Sequence, residues 1–498
     1  MDAAILSKLR EWQREPAEHL LSILRSHDSA VDCSDTGVGK TYVAVAVACA
    51  LNLPTLVVVP KISVTAWNRV AEYFGDSFSV INYERLRTGN TRFGVWENQD
   101  SQKLGRQVFF VCQCCQQRVD VGSPGRCYAH PLGIHCIAEK KAPRRLGKFN
   151  FSPEVKAVIF DEIHRCNALD SLNAEMLLAT KRQRIKTLGL SATLACDPTK
   201  MRAIGYSLDL HGDRAGKPNF YQWAARHGCR RIPPMPGIRW AIGAEQQKQS
   251  MAAIRSSIIP ARGVRLTTAE IPGFPECSIT AELYDIDDPE TVERLYSEMA
   301  GALAVLETKV VADVDAEHPL TQVLRARQRI ELLKVPIAVE LATDALEKGL
   351  SVGIFVNFSQ TIDELATRLG CNDIIDGRPA NVRRRQQIID AQQRDEIRLV
   401  LLNSDAGGIS VTLSDMRGQF PRLGLVFPGF SATTFRQLCG RFPRDGAKSK
   451  SYYRVLLAAG VKSEAQIYRN LRGKLDNLSA LNDADFAPDN LPLTKMVY

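Results

Sequence analysis

The sequence contains no apolar run long enough to cross a lipid bilayer. Its longest apolar run, residues 43–51, is ended by Asn52 and Pro54, whereas a membrane-spanning helix needs about 20 apolar residues. The opening residues, MDAAILSKLREW, lack the apolar segment of a secretory signal peptide. Short internal repeats and low-complexity segments are also missing. These absences predict a soluble protein of a reducing compartment, the cytoplasm.

The composition is that of an ordinary globular protein. Hydrophobic residues make up 45% and charged residues 24% of the 498 residues, which excludes a mostly disordered or fibrous chain. At roughly 100–200 residues per domain, this length predicts two or three domains. The 64 Lys and Arg residues exceed the 55 Asp and Glu residues, and the formal net charge of +9 permits a polyanionic partner without requiring one.

The cysteines are clustered in a way that indicates a metal site. A disulfide scaffold is not expected in a chain of this length, but five of the 13 cysteines lie between Cys112 and Cys136. Cys112 and Cys115 have the spacing of a zinc knuckle, and Cys127 and His130 form a second knuckle. We predict a small zinc ribbon in which these four residues bind one structural Zn²⁺, with Cys136 as the alternative to His130.

Short apolar segments alternate with helical patterns in two blocks of the sequence. Six of these segments are rich in β-branched residues and end in polar or turn residues, as buried parallel strands do. They are residues 55–60, 157–162 and 186–193 in the first block and 351–358, 397–403 and 423–429 in the second. Strands that alternate with helices predict an α/β fold with parallel sheets.

Two α/β domains in tandem follow from this pattern. We place the first at residues 1–272 and the second at 273–498. Two segments interrupt the first domain: residues 95–150 hold the cysteine cluster, and residues 207–272 are predicted to be an irregular insertion or linker, since they are rich in Pro, Gly and Arg.

The sequence GVGKT at residues 37–41 has the chemistry of a phosphate-binding loop. Glycines let backbone amides approach phosphate oxygens closely, and the helical segment that follows adds partial positive charge. Lys40 is predicted to reach the β- and γ-phosphates of ATP, and Thr41 to bind Mg²⁺ through its hydroxyl. Ser34 stands where the full pattern has a glycine. The residues predicted to hold the nucleotide are Gly37, Val38, Gly39, Lys40 and Thr41.

The sequence FDEIH places two carboxylates at the end of an apolar strand. Asp161 is predicted to bind Mg²⁺, and Glu162 to polarise the attacking water as a general base. His164 is interpreted as a link between the nucleotide site and the second domain rather than as a metal ligand.

Together with further motifs, these residues resemble the helicases and translocases of superfamily 2. Gln13 stands where that superfamily keeps a glutamine that contacts adenine, and the second-domain motifs resemble its Snf2-like branch. Several segments between the motifs are similar to those of Snf2-like helicases from tailed bacteriophages. The resemblance implies two RecA-like domains, ATP hydrolysis and, if the chain is phage-encoded, the cytoplasm of a host cell. The further motifs are SAT at 191–193 and the segments 81–86, 376–390, 404–415 and 437–446.

The second domain is expected to complete the nucleotide site. Charge on the γ-phosphate needs a cation from the side opposite Lys40, and QLCGRFPR supplies Gln437, Arg441 and Arg444. Arginine suits this task because its guanidinium is planar and permanently charged. The two arginines lie three residues apart, so they share one face if the segment is helical, and Arg444 is our first choice for the arginine finger.

Nucleic acid is the expected partner, held through its backbone without sequence recognition. Small hydroxyl residues and backbone amides suit the positioning of phosphates, and no recognition-helix motif or RNA-recognition signature is present. DNA is favoured over RNA. The candidate contact residues are Lys61, Ser63, Asn82, Tyr83, Gly408, Ser410 and Thr412.

The sequence therefore predicts an ATP-dependent helicase or translocase that uses ATP, Mg²⁺ and Zn²⁺ and moves along a DNA strand, in phage replication or recombination. Two alternatives remain at this point. One is a duplex translocase that remodels complexes without separating strands, and the other is a nucleic-acid-binding scaffold with a degenerate ATP site.

Overall fold

The computed structural model describes most of the chain and divides it into two lobes, each built on a parallel sheet. The described residues are 1–76, 78–97, 109–112, 118–119, 138–141, 147–168, 171–212, 217–231, 238–308, 319–404, 411–429, 431–469, 472 and 493–497.

The strands are numbered in chain order. They are β1 (Ser29–Asp32), β2 (Thr55–Val59), β3 (Ser79–Asn82), β4 (Gly94–Trp96), β5 (Phe109–Cys112), β6 (Arg118–Val119), β7 (Ala138–Lys141), β8 (Phe149–Phe151), β9 (Ala157–Asp161), β10 (Lys186–Leu190), β11 (Cys229–Arg230), β12 (Arg239–Trp240), β13 (Gly263–Val264), β14 (Cys277–Tyr284), β15 (Ser351–Val356), β16 (Ile374–Ile375), β17 (Leu399–Asn403), β18 (Arg422–Val426), β19 (Ser451–Ala458) and β20 (Leu493–Val497).

The helices are numbered in the same way. They are α1 (Ala3–Leu6), α2 (Glu11–Ser26), α3 (Lys40–Leu51), α4 (Val64–Phe74), α5 (Tyr83–Leu86), α6 (Leu172–Arg182), α7 (Arg202–Ser207), α8 (Phe220–Arg226), α9 (Ala244–Ile258), α10 (Pro289–Thr308), α11 (Pro319–Leu333), α12 (Val335–Glu347), α13 (Ser359–Leu369), α14 (Pro379–Gln393) and α15 (Ala432–Cys439).

The first lobe is a sheet in the order β13-β1-β10-β9-β2-β3, with every neighbouring pair parallel. Every residue of β1 and β2 is buried, because helices cover both faces of the sheet. Helices α2, α3 and α4 pack on one face, and α6 to α9 pack on the other. Because the strands are parallel, their carboxyl ends lie at the same edge of the sheet, and the polar residues that follow the strands come together there.

The second lobe is a parallel sheet in the order β16-β17-β15-β18-β19-β14-β20. Helices α12 and α13 cover one face, and α14 and α15 cover the other. Helices α10 and α11 form a separate hairpin whose small core packs against the end of β19. Ile62 and Cys196 of the first lobe pack against the core of the second, so the lobes are in direct contact.

The predicted fold class is confirmed: the chain contains two parallel-sheet α/β domains in tandem. All six predicted strand segments contain strands, namely β2, β9, β10, β15, β17 and β18. Residues 207–272 are more regular than expected, since they contain α8, α9 and the edge strand β13. The predicted boundary at 272/273 stays a prediction, and it lies between β13 and β14. Among the described residues, no helix has the length and apolarity that a bilayer crossing needs.

The central strand of the second sheet provides a test of this architecture. Ile354 is fully buried in β15 between β17 and β18. Ile354→Ala removes side-chain contacts and leaves a cavity, so we expect it to lower the stability of this lobe by about 2–5 kcal/mol. Native-state hydrogen exchange of peptides from β15 and β17 measures the change, with β9 as the internal reference.

The matched control is Val382→Ala on the exposed side of α14, where 43% of the side chain is exposed. We expect this variant to change the same exchange free energy by less than about 0.5 kcal/mol. Equal effects of the two substitutions would contradict the placement of β15.

Candidate nucleotide site between the two lobes

The loop between β1 and α3 has the backbone shape of a phosphate-binding loop. Gly37 and Gly39 both have a φ of 90°, a left-handed conformation that residues with a side chain rarely adopt. A Cβ atom on Gly39 would lie 2.2 Å from Nε2 of Gln13. That Nε2 donates a hydrogen bond to the carbonyl of Val38 at 2.9 Å. Gln13 therefore contacts the phosphate-binding loop directly. The sequence resemblance implies that this same residue contacts the adenine.

Lys40 lies within this loop, as a phosphate ligand must. Its Nζ donates to the carbonyls of Ser34 and Asp35, each at 2.8 Å. Burial lowers the pKa of Lys40, while the charges of Asp32 and Glu162 oppose that shift. An ammonium held by carbonyl oxygens among nearby carboxylates gains a stronger partner when a phosphate enters. Thr41 follows as the second residue of α3.

The two carboxylates of the FDEIH motif are held at the end of β9 by first-lobe side chains. Trp67 donates from Nε1 to Oδ2 of Asp161 at 2.9 Å, and the hydroxyl of Tyr83 donates to its carbonyl at 2.8 Å. Glu162 has a φ of 55°, which turns the chain sharply after the strand. Burial and the adjacent Glu162 raise the pKa of Asp161 to about 6.

Glu162 is joined to the second lobe through Gln437. The Nε2 of Gln437 donates to Oε2 of Glu162 at 3.2 Å and lies 3.3 Å from Nε2 of His164. Nδ1 of His164 lies 3.0 Å from Oγ of Ser191 and 3.3 Å from Oε2 of Glu162. Burial raises the pKa of Glu162, but the hydrogen bond and charge of His164, with the charge of Lys40, outweigh it and lower the pKa to about 2. The carboxylate is therefore ionised and fixed from both sides of the cleft.

Arg441 and Arg444 face the same cleft from the second lobe. Helix α15 ends at Cys439, so the segment of the two arginines is not helical and the condition for a shared helical face is not met; Gly440 begins the turn that carries them. Burial and the charge of Arg444 lower the pKa of Arg441 to about 10, and Glu162 is among the charges that act on both. Within the described part of the chain, neither buried Nε has a hydrogen-bond partner.

The phosphate-binding loop is in contact with the chain around the end of α15. A Cβ atom on Gly440 would lie 2.0 Å from Oγ1 of Thr36, and one on Gly37 would lie 2.9 Å from the carbonyl of Pro443 and 3.0 Å from Cδ of Arg444. The two lobes are therefore so close here that neither glycine could carry a side chain without a shift of the opposite lobe. Two guanidinium groups, an ammonium and the Glu162 carboxylate are close enough for their charges to act on one another. Groups of this kind are those that bind a triphosphate with its Mg²⁺.

The candidate nucleic-acid residues have mixed outcomes. Lys61 is exposed, while Asn82 is half-buried and caps α5 by accepting a hydrogen bond from the amide of Arg85 at 2.8 Å. Tyr83 is fully buried and Ser63 is 3% exposed, so neither side chain lies on the surface, and the ring of Tyr83 packs in the core of the first lobe. A contact with nucleic acid at these two residues stays a prediction, and it would have to be made by their backbone amides.

Other predicted residues have less structural support. Thr412 is half-buried, and its carbonyl accepts a hydrogen bond from Gln393 at 3.0 Å. Gly408 and Ser410 lie outside the described residues. Of the predicted zinc ligands, Cys112 ends β5, whereas Cys115, Cys127, His130 and Cys136 also lie outside them. The zinc site stays a prediction, and the described residues contain no group of three or more His, Cys, Asp or Glu suited to a metal ion.

Sequence reasoning missed several residues of the site. One of them is Trp67, which is buried and donates a hydrogen bond to Asp161. Asp32 is also buried, and its Oδ1 accepts a hydrogen bond from the amide of Ser34 at 2.9 Å. An acid that ends an apolar strand directly before the glycine-rich loop was the available signal for Asp32. Asp35 had no comparable signal.

The fold and site define a class of protein: an ATPase with two RecA-like lobes, in which one lobe carries the phosphate-binding loop and the other faces it with arginines. Residues 6–195 match the family described as the res subunit of type III restriction enzymes. The chain is 30% identical over 490 residues to a protein of Acanthamoeba polyphaga mimivirus named as an ATP-dependent RNA helicase, covering 96% of this chain and 84% of that protein. The chain belongs to the superfamily 2 helicases, and it is an ATP-hydrolysing enzyme.

Solved structures with a similar arrangement include S. cerevisiae Dbp5 bound to RNA and ADP BeF3. That chain is 11% identical with a TM-score of 0.46, and the match covers 96% of this chain and 92% of that one. A point variant of Dbp5 in the same complex is 10% identical with a TM-score of 0.47 and the same coverage. Likeness at this level adds nothing to the assignment of function.

The close approach of the lobes yields a prediction for Gly440. Gly440→Ala places a methyl group against Thr36 and forces the lobes apart. We expect kcat for ATP hydrolysis to fall at least about tenfold, while ATP binding to the first lobe persists. Steady-state ATPase rates and titration with a fluorescent nucleotide separate the two effects.

The control is Gly301→Ala in α10, where an added Cβ meets nothing within 4 Å. This variant should keep the kcat of the original protein. A Gly440→Ala protein with an unchanged kcat would mean that the lobes do not need this contact during hydrolysis.

Proposed function

We propose that the chain is a motor that couples ATP hydrolysis between its lobes to movement along a nucleic-acid strand. The observation that carries the proposal is the hydrogen bond that Gln437 donates to Glu162, beside its contact with His164. This bond joins the carboxylate predicted to act as general base to the lobe predicted to supply the arginine finger. A site divided between two lobes is complete only when the lobes are together, so hydrolysis and lobe movement are linked.

The roles proposed for individual residues follow from their positions. Lys40 and the loop amides bind the phosphates, and Gln13 lies beside the adenine. Glu162 is ionised, so its carboxylate can orient the attacking water and accept its proton. Arg441 and Arg444 neutralise charge that develops on the γ-phosphate, with Arg444 as the finger.

The donor set also fits the magnesium ion that accompanies ATP. Thr41 supplies a hydroxyl and Asp161 a carboxylate, which are oxygen ligands of the kind that Mg²⁺ prefers. The ion neutralises charge on the β- and γ-phosphates when it is bound. Trp67 keeps Asp161 oriented toward this position through its hydrogen bond.

RNA is the strand that we propose first. The mimivirus relative carries the name of an RNA helicase, whereas the preference for DNA, together with the Snf2-like and phage assignment, rests on the sequence resemblance alone. Lys61 is the exposed candidate residue for backbone contact. Contacts to phosphates make binding depend on salt rather than on sequence.

The arginine finger can be tested directly. Arg444→Ala is expected to lower kcat for ATP hydrolysis about 10³-fold or more, because it removes charge that stabilises the transition state. Nucleotide affinity should change much less. The matched control is Arg394→Ala, whose side chain pairs with Glu396 on the surface of the same lobe. A mild loss in Arg444→Ala with a large loss in Arg441→Ala would transfer the finger role to Arg441.

The motor function is tested by measuring ATPase activity with and without single-stranded RNA, single-stranded DNA and duplex DNA. We expect single-stranded RNA to stimulate the rate most, and stimulation to weaken as salt is raised. Greatest stimulation by duplex DNA without strand displacement would favour the remodelling alternative. ATPase activity that none of the nucleic acids changes would refute the proposed motor.

A further inference from the structure

Asp35, in the phosphate-binding loop, is the meeting point of three parts of the chain. Its Oδ1 accepts hydrogen bonds from Arg265 at 2.8 Å and from Arg436 at 3.0 Å, and its Oδ2 accepts one from the amide of Thr268 at 3.0 Å. Arg265 and Thr268 lie in residues 265–276, the connecting segment between the two sheets, and Arg436 lies in α15. One carboxylate therefore joins the loop, the connecting segment and the second lobe.

This contact is shielded from water, unlike the other ion pair between the lobes nearby. The side chains of Arg265, Arg436 and Asp35 are 3%, 7% and 18% exposed. Burial raises the pKa of Asp35, but the charges of Arg265 and Arg436 outweigh it and hold the pKa well below its usual range. Arg10 and Asp445 also pair across the lobes, but at 3.5 Å and with 66% and 32% exposure, where an ion pair contributes little.

The connecting segment runs beside the phosphate-binding loop as an extension of the sheet. The amide of Cys33 donates to the carbonyl of Val264 at 2.9 Å, and the amide of Asp35 donates to that of Leu266 at 3.0 Å. The amide of Leu266 in turn donates to Oγ of Ser34 at 3.0 Å. The loop that holds the phosphates and the segment that leads to the second lobe are thereby fixed to each other.

Arg436 and Gln437 are neighbours in α15 with partners on different parts of the first lobe. Arg436 contacts Asp35, and Gln437 contacts Glu162. Two contacts from one turn of a helix fix its rotation as well as its distance. Arg441 and Arg444 follow this turn directly, so their direction depends on how α15 is seated.

Open space borders the contact. A cavity of about 590 Å³ has Asp35 and Arg436 in its wall, together with Phe274, Cys277 and Tyr452. Because packed side chains do not fill this side of the interface, the seating of α15 there depends strongly on the ion pair.

We propose that Asp35 and Arg436 are positioning residues for ATP hydrolysis, which seat α15 on the phosphate-binding loop and so direct Arg441 and Arg444 at the γ-phosphate. Asp35 links this seating to the connecting segment through Arg265 and Thr268. The inference deepens the proposed function, since it rests on the roles of the two arginines. It does not depend on which nucleic acid is bound.

The test combines single and double variants of the full-length protein. Arg436→Ala is expected to lower kcat at least about tenfold and to leave the affinity for a fluorescent ADP analogue within about threefold, because Arg265 still neutralises Asp35. In the Asp35→Asn background, Arg436→Ala should lower kcat less than about threefold further, since the negative charge with which Arg436 pairs is already removed. Arg436→Lys should restore part of the rate.

The matched control is Arg368→Ala, which removes an arginine from an exposed pair with Glu364 on the same lobe. Its kcat should stay within about twofold of the original. Thermal melting of every variant separates positioning from stability: if Arg436→Ala melts early, Arg436→Lys and Asp35→Asn supply the rates for comparison.

Three results would overturn the inference: an unchanged kcat in Arg436→Ala, losses that multiply in the double variant, or equal losses of kcat and ADP affinity. Failure of the proposed function is a different outcome. If the proposed function fails, Arg444→Ala and Arg441→Ala hydrolyse ATP at the normal rate. If those two variants are slow but Arg436→Ala is normal, this inference alone is rejected.

Discussion

The seating of helix α15 against the phosphate-binding loop is the constraint on which the nucleotide site depends. The loop belongs to the first lobe, and the groups that complete it belong to the second. Gly440 and Gly37 permit the approach because a side chain at either position would collide with the opposite lobe. Gln437 then reaches Glu162 at 3.2 Å from the second lobe. The site is thus a property of the pair of lobes.

The charges in the cleft are the physical basis of the proposed coupling between ATP and the position of the lobes. Arg441 and Arg444 lie close enough for the charge of one to lower the pKa of the other, and burial removes water from both. Two buried cations near each other are costly until an anion joins them. Their buried Nε atoms have no hydrogen-bond partner among the described residues. In the proposed function, a γ-phosphate would supply the missing charge and acceptors together, so its binding would hold the lobes together and its loss after hydrolysis would weaken their contact.

The fold was predictable from sequence wherever a strand was long and apolar. Segments such as 157–162 and 351–358 are buried on both faces, and their continuous β-branched runs show this. Strand β13 is too short for such a signal: it has two residues, and its identity as an edge strand comes from pairing with β1. The end of α15 at Cys439 had no clear signal either, because the spacing of Arg441 and Arg444 would also suit a helix, whereas Gly440 lies against Thr36 of the opposite lobe.

The site was predictable only as far as chemistry is local. The loop 37–41 and the pair Asp161 and Glu162 are defined by neighbouring residues, so spacing alone was enough to single them out. Asp35 and Arg436 are 401 positions apart, and each alone is an ordinary surface residue type. Tyr83 shows that a motif does not reveal burial, since its ring packs in the core of the first lobe.

The chemistry of the interface between the lobes matches the movement that a motor requires. Apolar contacts such as that of Ile62 with the second core favour closure without setting an orientation. Hydrogen bonds and ion pairs set orientation, and water can replace them when the lobes separate, so opening exposes few groups that water cannot satisfy. The interface therefore combines a non-directional attraction with directional contacts at Asp35 and Glu162. Both directional contacts end on α15. The position of this one helix therefore depends on the phosphate-binding loop through Asp35 and on the carboxylate of Glu162 at the same time.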